Sequence, residues 1–439
     1  MDDLARQAIE VLWRNARGTW TRPSPRLYPH QWSWDAAFVA MGWAQLEPLR
    51  AVGELYSLLR AQWSTGMVPH IVFDLNVARG AYEPGPNSWG TATHAPTGTA
   101  TSGICQPPVH AIALGRVREV AAERDDDTLS EVDDAIVDLY PRLVAWHRWL
   151  RTTRDPDRSG LVTIVHPWES GLDNSPRWDQ PLESVDPGEK ASPLPRPDLS
   201  YVANPHERPT DHEYRRYRHL VDCLIAADHD PVQVLAHHPF RVGDVWFSAI
   251  LAAADEVLAD LAAVAGQPER ADGHRADAEH TRDALDERWD AELGHCHDLN
   301  LITGKAISVD TIAAFAPLVA GTSVDRTAIL VDRLWSDAYA GHPDLAWPLP
   351  PSAAVDQPGF DPRSYWRGPQ WAPMTWLLWW SLRRAGHARS ARRLRDAALA
   401  QLRTTGCSEY VDPFTGHPLG SDAQSWTAAV ALDWLGHAD

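Results

Sequence analysis

Two stretches far apart in the chain each set a carboxylate among aromatic side chains. They are Trp168-Glu169-Ser170-Gly171-Leu172-Asp173-Asn174-Ser175-Pro176-Arg177-Trp178 and Ser408-Glu409-Tyr410. Two carboxyl groups facing one bond can divide acid and base work. In glycosidic bond cleavage one protonates the leaving oxygen and the other activates water or attacks carbon. Indole and phenol faces suit the apolar faces of a sugar ring. The chain has 22 tryptophans but only 7 phenylalanines. A core chosen for apolar volume alone would not show that ratio, since each buried indole N–H needs a partner. These residues point to a carbohydrate site.

Each candidate has a plainer account beside it. Asp173, ahead of Asn-Ser-Pro, suits the cap of a following turn equally well. Glu409, just past a helix, reads as a solvated charge on general grounds. Trp32, Trp34 and Asp35, in Leu27-Tyr28-Pro29-His30-Gln31-Trp32-Ser33-Trp34-Asp35, sit at the mouth of a helix starting near Ser33. There Asp35 would simply face the positive helix end. Tyr365-Trp366-Arg367-Gly368-Pro369-Gln370-Trp371 has the same character. Two helix entrances crowded with indoles favour binding over those accounts. His295-Cys296-His297-Asp298 and His237-His238 lack the spacing of metal ligands. A short strand at the first and a solvated turn before Pro239 at the second are expected instead, with no metal and no cofactor. Neither Gly-x-Ser-x-Gly nor Gly-x-Gly-x-x-Gly occurs.

The elements that must hold these residues are helical. Apolar spacing and stop signals predict helices over 3–17, 33–46, 48–63, 107–123, 129–153, 211–228, 242–266, 268–289, 309–321, 324–336, 369–386, 388–405 and 423–436. Strands are few and short, at 161–165 and 68–73. About a dozen helices joined by short turns fit a solenoid or an (α/α)6 toroid. No period of 30–45 residues of the kind solenoids show is present, and that favours the toroid. The segments 74–106 and 174–210 are rich in Pro, Gly, Ser, Thr and Asn, the second reading Pro-Leu-Pro-Arg-Pro at 193–197. Irregular connections of that length are usually lids or binding loops. The expectation is an all-α (α/α)6 barrel forming a single domain over 1–439, with both lid loops at one end.

The net charge of −19, from 40 basic and 59 acidic residues, repels polyanions and argues against nucleic acid as a partner. A small monoanion remains compatible, because one placed arginine outweighs a diffuse field at contact distance. The N-terminus has no basic and apolar leader, and no apolar run is long enough to span a bilayer. Cys105, Cys223, Cys296 and Cys407 lack paired spacing and read as reduced thiols of a cytoplasmic enzyme. Oligomeric state is left open, homo-oligomers included.

Taken together, several motifs resemble glycoside hydrolase family 63. They are Tyr-Pro-His-x-Trp-Ser-Trp-Asp at 28–35, Trp-Glu-Ser-Gly-x-Asp-Asn-Ser-Pro-Arg-Trp at 168–178 and Tyr-Trp-Arg-Gly-Pro at 365–369. Ser-Glu-Tyr at 408–410, the run to Ser421, and Gln424-Ser425-Trp426-Thr427 belong with them. The likeness covers nearly the whole chain and leans toward the bacterial members acting on glucosylglycerate and mannosylglycerate. It implies an (α/α)6 barrel and an inverting mechanism, with Asp173 as general acid and Glu409 as general base. It further implies a glucose subsite of Tyr28, Trp32, Trp34, Asp35, Gln106, Trp168, Trp366, Trp371 and Gln424. The glycerate end would be held by Arg208, Tyr214 and Tyr82. The residues themselves agree with these roles. Asp173 has indoles nearby to raise its pKa, and the Arg208 fork matches a carboxylate. Inversion places the two carboxyl groups about 6.5–9.5 Å apart. The rival readings are a neutral-disaccharide α-glucosidase and, below it, a non-catalytic carbohydrate-binding protein. A sugar epimerase would need facing histidines. The epimer, glucose or mannose, is not legible.

Overall fold

The computed structural model describes residues 2–188 and 195–437. Among these the helices are α1 (Asp3–Asn15), α2 (Ser33–Ala44), α3 (Pro48–Leu59), α4 (His110–Arg124), α5 (Asp126–Thr153), α6 (Asp179–Glu183), α7 (Asp211–Ala226), α8 (Pro231–His237), α9 (Val245–Leu261), α10 (Ala271–Glu287), α11 (Ala316–Ala320), α12 (Val324–Leu334), α13 (Ala372–Arg384), α14 (Ala388–Thr405) and α15 (Ser425–Gly436). Strands are two or three residues long. The helical class and nearly every anticipated helix are present.

Two kinds of helix sort themselves by side-chain pattern. Every residue of α2 is buried, and α9, α13 and α15 are buried over most of their surface. A helix apolar on all sides must sit inside. By contrast α1, α3, α10, α12 and α14 bury one face only. The packing follows that division. Helices α2, α4, α9, α11, α13 and α15 pack in sequence, and α15 packs back on α2. Against them lie α3 on α2, α5 on α4, α10 on α9, α12 on α11, α14 on α13 and α1 on α15. One buried carboxylate inside this arrangement gathers several donors, although the indole N–H groups of Trp146, Trp246, Trp426 and Trp434 have no protein partner among the described residues. Asp433 on α15 accepts from Arg116 Nε of α4, Gln45 Nε2 and Trp376 Nε1 of α13, each at 2.8 Å. A buried carboxylate with that many donors is tolerated where a lone one would not be.

A small antiparallel sheet orders Lys305–Ile307, Asp298–Asn300, Val242–Gly243 and Thr163–Ile164, with Ile164 opposite Val242 and Gly243 opposite Leu299. It carries the chain into the 166–178 loop. The helix expected over 242–266 therefore begins only at Val245, where the Asp244 carboxylate accepts from the N–H groups of Trp246 and Phe247. The helix expected over 309–321 is broken into a 3-10 turn, Ile312–Phe315, and α11. Thr311 caps that turn through Ala313 N–H and bridges to Ala353, and this fixes the tighter start. Of the anticipated strands, Thr163–Ile164 and Ile71–Val72 form. Residues 189–194 of the 174–210 segment, including Pro193 and Leu194 of the Pro-rich run, lie outside the described residues.

Candidate active site

The N-terminal ends of α2 and α15 meet at one pocket. Trp34 and Asp35 stand in the first turn of α2, and Trp366 lies in the short turn before α13. Gln424 is the N-cap residue of α15, and Gln106 precedes α4. The anticipated lids complete the wall, with Ala81, Tyr82 and Glu83 from one and Pro197, Asp198, Tyr201 and Arg208 from the other. Asp173, Glu409, Tyr28, Trp32, Trp34, Asp35, Tyr82, Gln106, Trp168, Arg208, Tyr214, Trp366 and Gln424 all line this pocket. Trp371 does not. It stands one layer back, stacked on Trp366 at 3.6 Å with the planes 5° apart, and Tyr410 stacks on it at 4.6 Å.

Asp173 is carried on a tightly braced loop. The Pro167–Ser170 turn ends at Gly171, whose φ of +73° only glycine adopts cheaply. A Cβ at Gly171 would lie 2.5 Å from the Trp34 ring, so the same glycine lets that indole approach. Asn174 Oδ1 accepts from Trp366 N at 2.8 Å, and Tyr217 donates to the Asp173 carbonyl at 3.2 Å. Arg177 is held at 2.7 Å by both Asp298 and Asp244. The cap for the next turn is Ser175, not Asp173, so the capping account fails and the Asp173 side chain is left to the pocket. Burial pushes its carboxyl up to about 7, with Arg208 pulling down and Glu409 pushing further up. Trp178, expected beside Asp173, instead donates to Leu172 O at 2.8 Å and props the loop from behind.

Glu409 is buried, not solvated. It lies just before the Tyr410–Val411 strand, which pairs with Pro418–Leu419. Val411 also exchanges backbone hydrogen bonds with Gln370, tying the Glu409 segment to the Trp366 wall. The Glu409 Oε1 accepts from Tyr28 at 2.7 Å and Oε2 from Ser421 N–H at 3.0 Å. Gly420, at φ +70°, makes this possible, since a Cβ there would sit 2.3 Å from Oε2. Burial holds the Glu409 carboxyl above its ordinary value, and Arg208 and these hydrogen bonds draw it only part of the way back. Asp35, a third carboxyl, is raised well above its usual range by burial, with Glu409 and Asp173 adding to it. A carboxyl kept protonated there can donate to a hydroxyl as well as accept. The other acid of the motif, Glu169, points away from the pocket. It pairs with Arg154 at 2.7 and 2.8 Å and accepts from the N–H groups of Cys105 and Val165.

Sequence reasoning missed Tyr365, Trp426, Asp198, Tyr201 and His70, all of which line the pocket. Tyr365 holds φ +41°, a strained conformation for an aromatic residue. Its motif was visible, but the ring's turn toward Tyr28 was not. Both histidine runs are taken up by the fold. His295–Cys296 is a strand as expected, and Asp298 is spent on Arg177. The solvated turn expected at His237-His238 is corrected for His238, which is buried and bonded to Phe240 O at 2.9 Å and Leu220 O at 3.1 Å. Among the described residues no group of three or more His, Cys, Asp or Glu could hold a metal ion.

The model of the mannosylglycerate hydrolase MGH1-like glycoside hydrolase domain matches residues 28–427. The glucosylglycerate hydrolase of Mycolicibacterium hassiacum is 44% identical, over 99% of this chain and 98% of that protein. A mannosylglycerate hydrolase of Thermus thermophilus is 41% identical, over 98% of this chain and 99% of its own. A crystal structure of a family 63 mannosylglycerate hydrolase, also of Thermus thermophilus, in complex with Tris and D-glycerate, superposes with a TM-score of 0.89. It shares 40% identity, covering 98% of this chain and all of that one.

Proposed function

This chain belongs to the MGH1-like glycoside hydrolase family, and from that premise we propose that it hydrolyses α-linked glucosylglycerate or mannosylglycerate to sugar and glycerate with inversion. The observation that carries the mechanism is the asymmetry of two carboxyl groups on one aromatic pocket. Asp173, at about 7, keeps a proton for the leaving oxygen near neutral pH. Glu409 is surrounded by donors on both oxygens, a setting that favours the ionised form a base needs. In this reading water attacks the anomeric carbon as Glu409 takes its proton, and Asp173 protonates the glycerate oxygen. A separation of about 6.5–9.5 Å leaves room for that water. Trp34, Trp168, Trp366 and Trp426 enclose the sugar, with Asp35, Gln106 and Gln424 on its hydroxyls. Trp371 supports the site by stacking on Trp366.

Arg208, Tyr214 and Tyr82 hold the glycerate. Among the described residues, Arg208 is the one Arg or Lys lining the pocket, which favours an anionic leaving group over a neutral one. The closed succession of buried helices, each flanked by a half-buried one, supports an (α/α)6 barrel. The packing of α1 on α15 supports one catalytic domain over 1–439, with lids at 74–106 and 174–210. The described cysteines are free thiols, in keeping with a reducing cytoplasm, and no described helix is long and apolar enough to cross a membrane.

The test is turnover of α-glucosylglycerate, α-mannosylglycerate and neutral α-disaccharides, followed by proton NMR from the first seconds. The β-anomer of glucose or mannose should appear first. Cleavage of neutral disaccharides alone would overturn the substrate, and first release of the α-anomer would overturn inversion.

A further inference from the structure

One chain of contacts in the pocket is not explained by holding a sugar or a glycerate. Arg208 Nη1 donates to the Tyr28 hydroxyl oxygen at 2.9 Å. Tyr28 in turn donates to Glu409 Oε1 at 2.7 Å. The Tyr365 hydroxyl also lies 2.9 Å from that of Tyr28. Hydrogen-bond polarity orders this cluster. A guanidinium has donors and no acceptor, and a phenol has one proton and two lone pairs. With its proton on Glu409, Tyr28 fills its lone pairs from Arg208 and Tyr365. A proton on Oε1 would face the phenol proton and force Tyr28 to turn it onto Tyr365. The arrangement is therefore satisfied in full only when Oε1 carries no proton, and the Ser421 N–H that Oε2 accepts disfavours a proton on the other oxygen.

We infer that Arg208 is a positioning residue for the base: through Tyr28 it fixes the ionised form of Glu409, so that the segment leading into α7 completes the catalytic site as well as covering it. The inference rests on Glu409 being the base. Arg208 itself is well set for the task. Its guanidinium lies over the Tyr365 ring at 4.1 Å, and Nη1 is 3.7 Å from Glu409 Oε1. Asp198 Oδ2 lies 3.6 Å from its Nε, and Asp198 is itself forked to Arg196 at 2.8 and 2.9 Å. The charged and titratable groups facing Glu409 are Arg208, Tyr28, Tyr365 and Tyr410, with Asp173 and Asp35 across the pocket. The two aspartates and burial oppose ionisation, and Arg208 is the cation that offsets them. A charged donor acting through one hydroxyl in a dry site loses little to screening.

The experiment measures the protonation of Glu409 directly and then through rate. Protein labelled with carbon-13 at the glutamate carboxyl is titrated by NMR, with Glu409→Gln identifying the resonance. Arg208→Ala and Tyr28→Phe should each move that titration to higher pH, and the double variant should move it little further than either single one. Arg208→Lys should recover part of the shift. The acid limb of kcat/KM should follow, an upward move of one pH unit giving about tenfold lower kcat/KM at any pH below both limbs. That limb should move equally for glucosylglycerate and for the neutral glucosylglycerol, because the effect is on the base. An unmoved Glu409 titration in both variants, with only the KM for the anionic substrate raised, would overturn the inference and leave Arg208 as a glycerate anchor. Should Arg208→Ala not fold, Tyr28→Phe still decides, since it cuts the link and keeps the arginine. A Glu409→Gln variant that turns over normally would instead overturn the assignment of the base, and the NMR titration separates the two failures.

Discussion

At the scale of single residues, chemistry depends on which proton each carboxyl holds. Asp173→Asn and Glu409→Gln keep shape and remove titration, so each should lower kcat by about 10²–10⁴-fold, the worth of a placed acid or base, while circular dichroism shows an unchanged fold. Either variant near wild-type rate would end that assignment. Asp173 also predicts the alkaline side of the pH profile. Its pKa is raised in the folded state from 3.8 to about 7, so kcat/KM should fall as pH rises through about 7. The same shift has a sign for stability. A group raised on folding contributes stability that is complete below its unfolded pKa and lost as pH rises through the folded one. Asn at 173 escapes that loss, so Asp173→Asn should gain Tm relative to wild type at pH 8 and not at pH 4, as read by thermal melts. A site that costs stability in this way fits the usual conflict between function and stability. The two carboxylates and the indole-rich entrances were legible in the sequence because motifs preserve residue type at fixed spacing. What escaped were contacts made by backbone shape. Gly420 clears Oε2 of Glu409 by lacking a Cβ, and Tyr365 reaches Tyr28 only through its positive φ.

At the scale of elements, the loop over 166–178 shows how one motif turns one acid into the core and another toward the pocket. Glu169 and Asp173 lie four residues apart in one motif, yet Glu169 forms a fully buried pair with Arg154 and receives two backbone N–H groups. Its carboxyl is held below the usual range by Arg154 despite burial. Glu169→Gln leaves a buried guanidinium unpaired, which costs on the order of 3–5 kcal/mol. Chemical denaturation should therefore show a large loss of stability, whereas Asp173→Asn shows none. Equal stability of the two variants would mean that Glu169 is not the brace of this loop. Spacing alone could not tell these two acids apart, because the partner of Glu169 comes from the end of α5 and no motif marks it. Helices were easier to read, since burial repeats every turn and caps such as Ser323 and Thr210 stand at their starts. The failures were at 242 and 312, where two-residue strands and 3-10 turns are too short to carry a period. Which helices close the succession was equally hidden, because the contact of α15 with α2 joins residues at opposite ends of the chain.

At the scale of the whole molecule, an acidic protein must admit an acidic substrate. The chain carries −19, a field that opposes the approach of a glycerate glycoside from any distance less than the screening length. Within the pocket, acids also line the wall, but Arg208 is placed to meet a carboxylate at contact range, where one cation outweighs a diffuse field. The N-terminal ends of α2 and α15 also face inward, each bringing partial positive charge that acts over about one turn. These local terms are short-ranged and enclosed, so salt weakens them little, while the surface field is exposed and collapses as the Debye length falls from about 30 Å at 0.01 M to about 10 Å at 0.1 M. Raising salt should therefore increase kcat/KM for the anionic substrate, by about twofold or more over that range, and leave a neutral glucoside unaffected. The ratio of the two, followed against sodium chloride concentration, isolates the effect from any change in the enzyme itself. A ratio that falls with salt would mean that the attraction of Arg208 reaches beyond the pocket mouth and steers the substrate in, and the acidic surface would then have no part in access.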